Sequence, residues 1–321
     1  FRYIIVLRMK KIFLYLFLLC TGSMSFNVFA QTGKSAFLAE MAAREDSMKT
    51  YAFDMVNAHE AATRFRADSI FTRMLVRALK EKHAFSYPFD SLQTISRLYA
   101  PDSSFRIFTW QLVQDEATFR RHGAIQMNTA AGSLVLYPLL DKTQLIEDIQ
   151  NAITNNEEWV GAIYYKIIQT SFQNKKFYTL LGYDENSFRS TKKRIEVLSF
   201  NNGKPVFGGP FFSFEKDSLH KPVQARFFIE YKKDGNASIK YDEELGMIIF
   251  DHLISENNQP TKKYTYIPDG DYEGFTWENG KWMHIDKVFT FKLQDGQAPV
   301  ERPVREGKLD VTPPAGKRKK G

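Results

Sequence analysis

Tyr272-Glu273-Gly274-Phe275-Thr276-Trp277-Glu278-Asn279-Gly280-Lys281-Trp282-Met283-His284-Ile285 carries the fold signal from which the rest of the chain is read. Asn279-Gly280 supplies two residues that tolerate positive φ, the backbone state a two-residue type I′ turn demands. A turn of that length sets Glu278 opposite Lys281 and Trp277 opposite Trp282. The second pairing stacks two indoles beside an opposite-charge pair, and each such cross-strand pair contributes about 0.2–1 kcal/mol. Connections this short join antiparallel neighbours, so the sheet is a meander rather than a parallel βαβ array.

The same two-residue signal recurs at Asn202-Gly203, Asp234-Gly235 and Asp295-Gly296. Between Phe105 and about Leu293, β-branched and aromatic residues alternate with polar ones, the period of a strand. Strands are predicted at Phe105–Leu112, Ala124–Asn128, Leu134–Leu139, Trp159–Thr170, Lys176–Tyr183 and Arg194–Phe200. Six more follow at Ala225–Lys232, Ser238–Asp242, Met247–Leu253, Lys263–Ile267, Tyr272–Trp277 and Lys281–Phe291.

Upstream, residues 34–98 read as helical. Phe37, Met41, Met48, Phe53 and Val56 fall near helical spacing, and Arg64–Lys82 carries a stripe from Phe65 to Leu79. Pro88 closes this region. A short helix is predicted over Asp90–Leu98, with Asp90 as N-cap and Pro101 beyond its end, and another over Asp141–Ile153 from Leu145, Ile149 and Ile153. The expected fold class is α+β: a helical N-terminal segment packed on a large antiparallel β-meander domain, sandwich or barrel-like. The expected division is a signal peptide (1–30), a helical region (31–101), a β domain (102–295) and a disordered basic tail (296–321). That tail holds Pro299, Pro303, Pro313 and Pro314 and ends in Lys317-Arg318-Lys319-Lys320-Gly321.

The start of the chain reads as an export signal. Met9-Lys10-Lys11 is a positive n-region, with Met9 the expected true start. Ile12–Cys20 is an apolar h-region, and Val28-Phe29-Ala30 is a cleavage site. That apolar run is far short of the ~20 residues a spanning helix needs, so no transmembrane segment is expected after cleavage. The expected location is secreted, in the periplasm or at the cell surface. Cys20 is the single cysteine, and Leu19 before it departs from the small residue that lipoprotein acylation favours. A mature chain without cysteine has neither thiol catalysis nor disulfides nor Cys-zinc sites.

The chain holds 44 Lys+Arg against 37 Asp+Glu, a net charge of +7. The excess sits at the two ends, and the body between them is nearly neutral. A nucleic-acid binder carries its charge on a folded face, so no nucleic-acid partner is expected. Binding through the Lys317–Lys320 cluster would be the salt-sensitive exception.

No phosphate-binding glycine loop, dinucleotide fingerprint or nucleophile elbow occurs in the sequence, and no cofactor is expected. His59-Glu60 begins a zincin-like run, but Thr63 stands where the second histidine is required. His59, His83, His122, His220, His252 and His284 are scattered, each read as a surface or structural histidine. Asp269-Gly270-Asp271-Tyr272-Glu273 places three carboxylates at alternate positions. Asp269, Asp271 and Glu273 are the candidate metal ligands, for calcium. A Pro-Asp-Gly turn explains the same residues without an ion and is the preferred reading, so no metal is expected.

Aromatic residues are the chain's excess: 28 Phe, 15 Tyr and 4 Trp. Most must fill the core. Trp159, Tyr164, Tyr165 and Tyr178, with Phe211-Phe212, are the candidates to line a cleft for a sugar or an apolar ligand. Asp-Ser-aliphatic triplets begin at Asp46, Asp68, Asp90 and Asp217. They resemble O-glycosylation acceptors of exported Bacteroidota proteins, and they also suit N-caps and turns.

Tyr87-Pro88-Phe89-Asp90-Ser91-Leu92, Phe105–Gln111, Gly161–Ile167 and Leu180–Asp184 together resemble an uncharacterised family of secreted Bacteroidota proteins. The likeness covers most of residues 64–291. It implies export and a β-rich body and transfers no site. The expected function is a non-catalytic binding or structural role at the cell surface or in the periplasm, on a glycan or envelope component. The alternative is a secreted hydrolase of such a substrate, its carboxylates assembled only by the fold.

Overall fold

A computed structural model describes residues 34–115, 118–217 and 221–289. The signal segment with Met9 and Cys20, Ser218-Leu219, His220, the Asp295-Gly296 turn and the tail lie outside the described residues. The chain divides into two compact units, Phe1–Val288 and Phe289–Gly321, and all the elements below belong to the first.

Helix α1 (34–57) buries Met41, Glu45, Met48, Ala52 and Met55, a four-three spacing that keeps one face inward. Helix α2 (Ala61–Leu79) answers with Ala67, Phe71, Leu75, Ala78 and Leu79. Phe53 and Phe65 were expected in the stripe but are 59% and 44% exposed, because the helical period turns them off that face. Arg64 is buried instead. It donates to the carbonyls of Ala58 and His59 at 2.8 Å, closing the turn between the helices, and to Val113 at 2.6 Å. Among the described residues no helix is long and apolar enough to cross a membrane.

The strands in chain order begin with β1 (Ser96–Tyr99), β2 (Phe105–Val113), β3 (Phe119–Met127), β4 (Leu136–Leu140) and β5 (Thr154–Asn155). Next come β6 (Ile163–Phe172), β7 (Lys175–Asp184), β8 (Ser190–Asn201), β9 (Lys204–Phe207) and β10 (Phe212–Ser213). The last are β11 (Arg226–Lys232), β12 (Ile239–Asp242), β13 (Met247–Ser255), β14 (Tyr266–Glu278) and β15 (Lys281–Ile285).

They form three sheets: β1-β2-β3-β4, then β5-β9-β8-β7-β6, then β10-β15-β14-β13-β12. Strand β11 joins the second by pairing with the first half of β8. Among the described residues all strand pairings are antiparallel except β10 with β15, and the isolated bridge between Asp141 and Trp159 is parallel too. The sheets do not close into a barrel, which corrects the barrel-like alternative.

The molecule is layered as helices, first sheet, second sheet, third sheet, with a core in each interface. Strand period explains how one strand serves two cores. Phe108, Trp110 and Leu112 of β2 face the helices, while Phe105 and Ile107 face the second sheet. On β7, Tyr178 and Leu180 face the first sheet, and Leu181 and Phe177 face the third. Strand β6 needs a bulge at Tyr165 to do this, which returns Tyr164 and Ile167 to the same side. Three interior interfaces absorb the ring excess.

The Asn279-Gly280 hairpin forms with the expected pairs Trp277–Trp282 and Glu278–Lys281, at φ of 49° and 81°. The indoles meet edge-on, 5.3 Å apart and 66° between planes, rather than stacked. Asn202-Gly203 likewise joins β8 to β9. Asp234-Gly235 does not make a hairpin, since β11 pairs with β8 and β12 with β13, so this turn crosses between sheets. Two expected helices are absent. Residues 90–95 form turns that lead into β1, where the open edge of β2 offers backbone partners. Over Asp141–Ile153 a single 3₁₀ turn forms, and Leu145 and Ile153 are 75% and 61% exposed, so that apolar spacing meets no surface. Runs this short are marginal as helices without packing.

Candidate functional site

Two clusters of polar side chains stand out, one sealed and one open. The sealed cluster grows from the opening hairpin. Register sets His284 opposite Phe275 and, on the other side of β14, Glu273 opposite Phe250. Alternation then puts Glu273, Phe275 and His284 on one face of the third sheet. The turn after β10 brings Asp217 to the same place. His284 Nδ1 lies 2.9 Å from Asp217 Oδ2, and Nε2 lies 2.8 Å from Glu273 Oε2. Asp286 Oδ1 is 3.5 Å from Nδ1. Phe214 and Phe275 pack on the ring, each with its centroid 5.1 Å away. The residue is 2% exposed.

Burial alone would depress the imidazolium. Hydrogen bonds and charge from Glu273 and Asp217 outweigh it, and the His284 pKa is raised from its usual 6.5. Glu273 also approaches His252 Nε2 at 3.8 Å, and His252 Nδ1 lies 2.8 Å from Asp269 Oδ2. Against burial, the Asp271 N–H and the His252 ring hold the Asp269 carboxyl below its ordinary range.

The open cluster lies across β7, β8 and the loop before β2. A groove of about 500 Å³ is lined by Phe177, Tyr178, Phe200, Lys175, Lys176 and Asn201, among others. At its edge Asp102 accepts hydrogen bonds from Lys176 Nζ at 2.7 Å, Tyr178 Oη at 2.9 Å and Ser104 Oγ at 2.7 Å. Burial works against the carboxylate, yet these donors hold Asp102 well below the usual carboxylate range. Phe105 and Phe200 brace the Tyr178 ring at 4.8 and 6.1 Å. The larger cavity, about 540 Å³ beside α1, offers one ring, Phe53, and mostly turn residues.

No family model, curated protein or solved structure matches this chain.

The four rings proposed from sequence fall in three places. Trp159 and Tyr164 come together in the core, fully buried, with Trp159 Nε1 donating to Tyr164 Oη at 2.8 Å. Tyr164 in turn donates to Glu196, which Arg226 Nε grips at 2.7 Å. This is an interior ion network, with no face for a ligand. Burial and Glu196 raise the Tyr164 pKa far above its usual value. Tyr165 is 40% exposed at the bulge and donates to the Ile239 carbonyl at 2.8 Å. Only Tyr178 of the four lines one of the cavities described above. Phe212 is core, and Phe211 packs on Phe177 and Trp277.

Asp269, Asp271 and Glu273 do not converge on one point. Each turns to its own partner: His252, Lys287 at 3.0 Å, and His284. Sequence reading missed Asp217, His252 and His284, because each histidine looked solitary. A signal existed for part of it: the hairpin register alone brings His284 alongside Phe275, diagonal to Glu273. Nothing local announces Asp102 or Asp217.

Proposed function

We propose that this is an exported, non-catalytic binding protein of the periplasm or cell surface that takes a glycan or envelope component in the Tyr178 groove. The observation that carries this is a half-buried aromatic wall beside exposed polar groups. Half-buried Phe200 offers apolar ring surface beside the buried Tyr178, while Lys175, Lys176 and Asn201 offer donors, in a volume within the ~300–1,000 Å³ of ligand pockets. Sugars need that combination, since their ring faces are apolar and their edges are hydroxylated. The export signal and the likeness to secreted Bacteroidota proteins support the location.

The test is co-sedimentation of the protein with peptidoglycan and with insoluble polysaccharides, followed by titration of soluble fragments. Binding that weakens in Phe200→Ala and Lys176→Ala supports the reading. Binding to none of these, or binding indifferent to both substitutions, overturns it.

A secreted hydrolase is the second reading, and Asp217–His284–Glu273 is what favours it. A histidine held by carboxylates is a familiar acid–base element. It stands second because both ring nitrogens are engaged and the ring is 2% exposed, leaving no nitrogen for a substrate proton.

A further inference from the structure

The geometry points to a divalent-cation site formed by Asp217, His284 and Asp286, distinct from the groove. The His284 ring faces carboxylates on both sides. Its Nε2 lies 2.8 Å from Glu273 Oε2. With an Nε2–H donated there, a cation that displaces the Nδ1 proton meets a lone pair on the other side of the ring. That side holds Asp217 Oδ1 and Oδ2 at 3.0 and 2.9 Å and Asp286 Oδ1 at 3.5 Å. Ligand atoms from the three side chains all lie within 4.8 Å of one another, the one such group among the described residues. Ligand atoms from three side chains thus converge where a cation can take the place of the Nδ1 proton.

The two lysines that flank the set in sequence are turned to other partners. Lys216, before Asp217, pairs with Glu278 at 2.8 Å, and Lys287, after Asp286, pairs with Asp271 at 3.0 Å. Glu273 behind the ring is the second observation. Imidazoles that ligate metals characteristically donate their far N–H to a carboxylate, which orients the ring and raises its basicity. The buried pair Asp217 and His284 forms the floor, and Asp286, its side chain 63% exposed, forms the rim. Solvent completes the set from that side. One imidazole nitrogen with two carboxylates suits zinc or manganese rather than calcium, which prefers oxygen throughout. The bound cation ties the Phe214–Asp217 turn to the end of β15.

Zinc chloride and manganese chloride, titrated calorimetrically into the EDTA-treated, dialysed full chain, give the test. One ion per chain is expected. Asp286→Asn, an exposed change that spares the fold, weakens binding by about tenfold or more, and Glu273→Gln weakens it by ~10–100-fold through the ring. Glu243→Gln, an exposed residue paired with Lys166 and outside the set, leaves it unchanged. In nitrogen-detected NMR, zinc moves the His284 Nδ1 resonance while Nε2–H persists. No binding of either ion, binding indifferent to Asp286→Asn and Asp217→Asn, or a ring still doubly protonated at saturating zinc would each refute the site and leave a protonated clamp in its place.

Discussion

The Tyr178 groove and the His284 pocket are built from the same parts, a carboxylate with hydrogen-bond partners among aromatic rings on an antiparallel sheet, and they are opposite in character. Asp102 is compensated by Lys176, whose side chain is 57% exposed and able to swing away. His284 is compensated by Asp217 and Glu273 inside a wall of phenylalanines. The open cluster has partners it can exchange for a ligand's. In the sealed one, each polar group's partner is part of the fold. The comparison teaches that a titratable group marks a binding surface only where its partner can leave.

The largest effect expected is on the sealed side. In EDTA-treated protein, His284→Leu strands Asp217 and Glu273 and costs about 3–5 kcal/mol in urea unfolding, as for breaking a buried pair. A loss below ~1 kcal/mol would mean the cluster is wet, and the contrast would collapse. Next comes the hairpin that aims His284. Gly280 has φ of 81°, and a Cβ there would lie 2.6 Å from the Phe172 ring. Gly280→Ala should cost about 1–2 kcal/mol, measured the same way.

On the open side, Phe200→Ala should weaken glycan binding by about tenfold, or about 1.4 kcal/mol, while leaving the His284 cluster untouched. If zinc affinity fell with it, the two sites would be coupled and the distinction blurred.

The smallest effects are in pH, and their signs differ. His284 has a raised pKa, so in metal-free protein its contribution is fully present below about 6.5 and fades as pH rises through the folded value. Asp102 has a depressed pKa, so its contribution is present above about 3.9 and is lost as pH falls through the folded value. Melting temperatures across both limits, in wild type, His284→Leu and Asp102→Asn, separate them. The alkaline limb should vanish in the first variant and the acid limb should shrink in the second. The same limb surviving in both would assign it to other groups.

The hairpins at Asn202-Gly203 and Asn279-Gly280 were legible because a positive-φ pair is a local demand on the backbone. The strands were legible because alternation is local too. The turn at Asp234-Gly235 has the same chemistry, yet its flanking strands belong to different sheets, and nothing within a few residues says so. Asp90–Leu98 has helical spacing, and β2 claimed its end as a strand. Glu45 sits in the buried face of α1, where it accepts from Tyr87 Oη at 2.5 Å and Ser91 N at 2.6 Å. A carboxylate in an apolar stripe reads as exposed until its donors, some forty residues away, are in place.

Arg106 makes the same point. It is fully buried among Phe85, Phe89, Tyr99 and Phe108, with its centre 4.7 Å over the Phe108 ring and no carboxylate bonded to it. Burial lowers its pKa to about 10, and carbonyls and rings take the place of a counter-ion.

The amino-acid order alone determined which segments alternate, where the chain reverses tightly, and that a cysteine-free body must be held by rings, because these follow from near neighbours. The stacking of three sheets under two helices, and the meeting of Asp217 with His284 and of Asp102 with Tyr178, were decided only in three dimensions. The partners are 67 and 76 residues apart, and no local force acts over that separation until the packed layers bring them together.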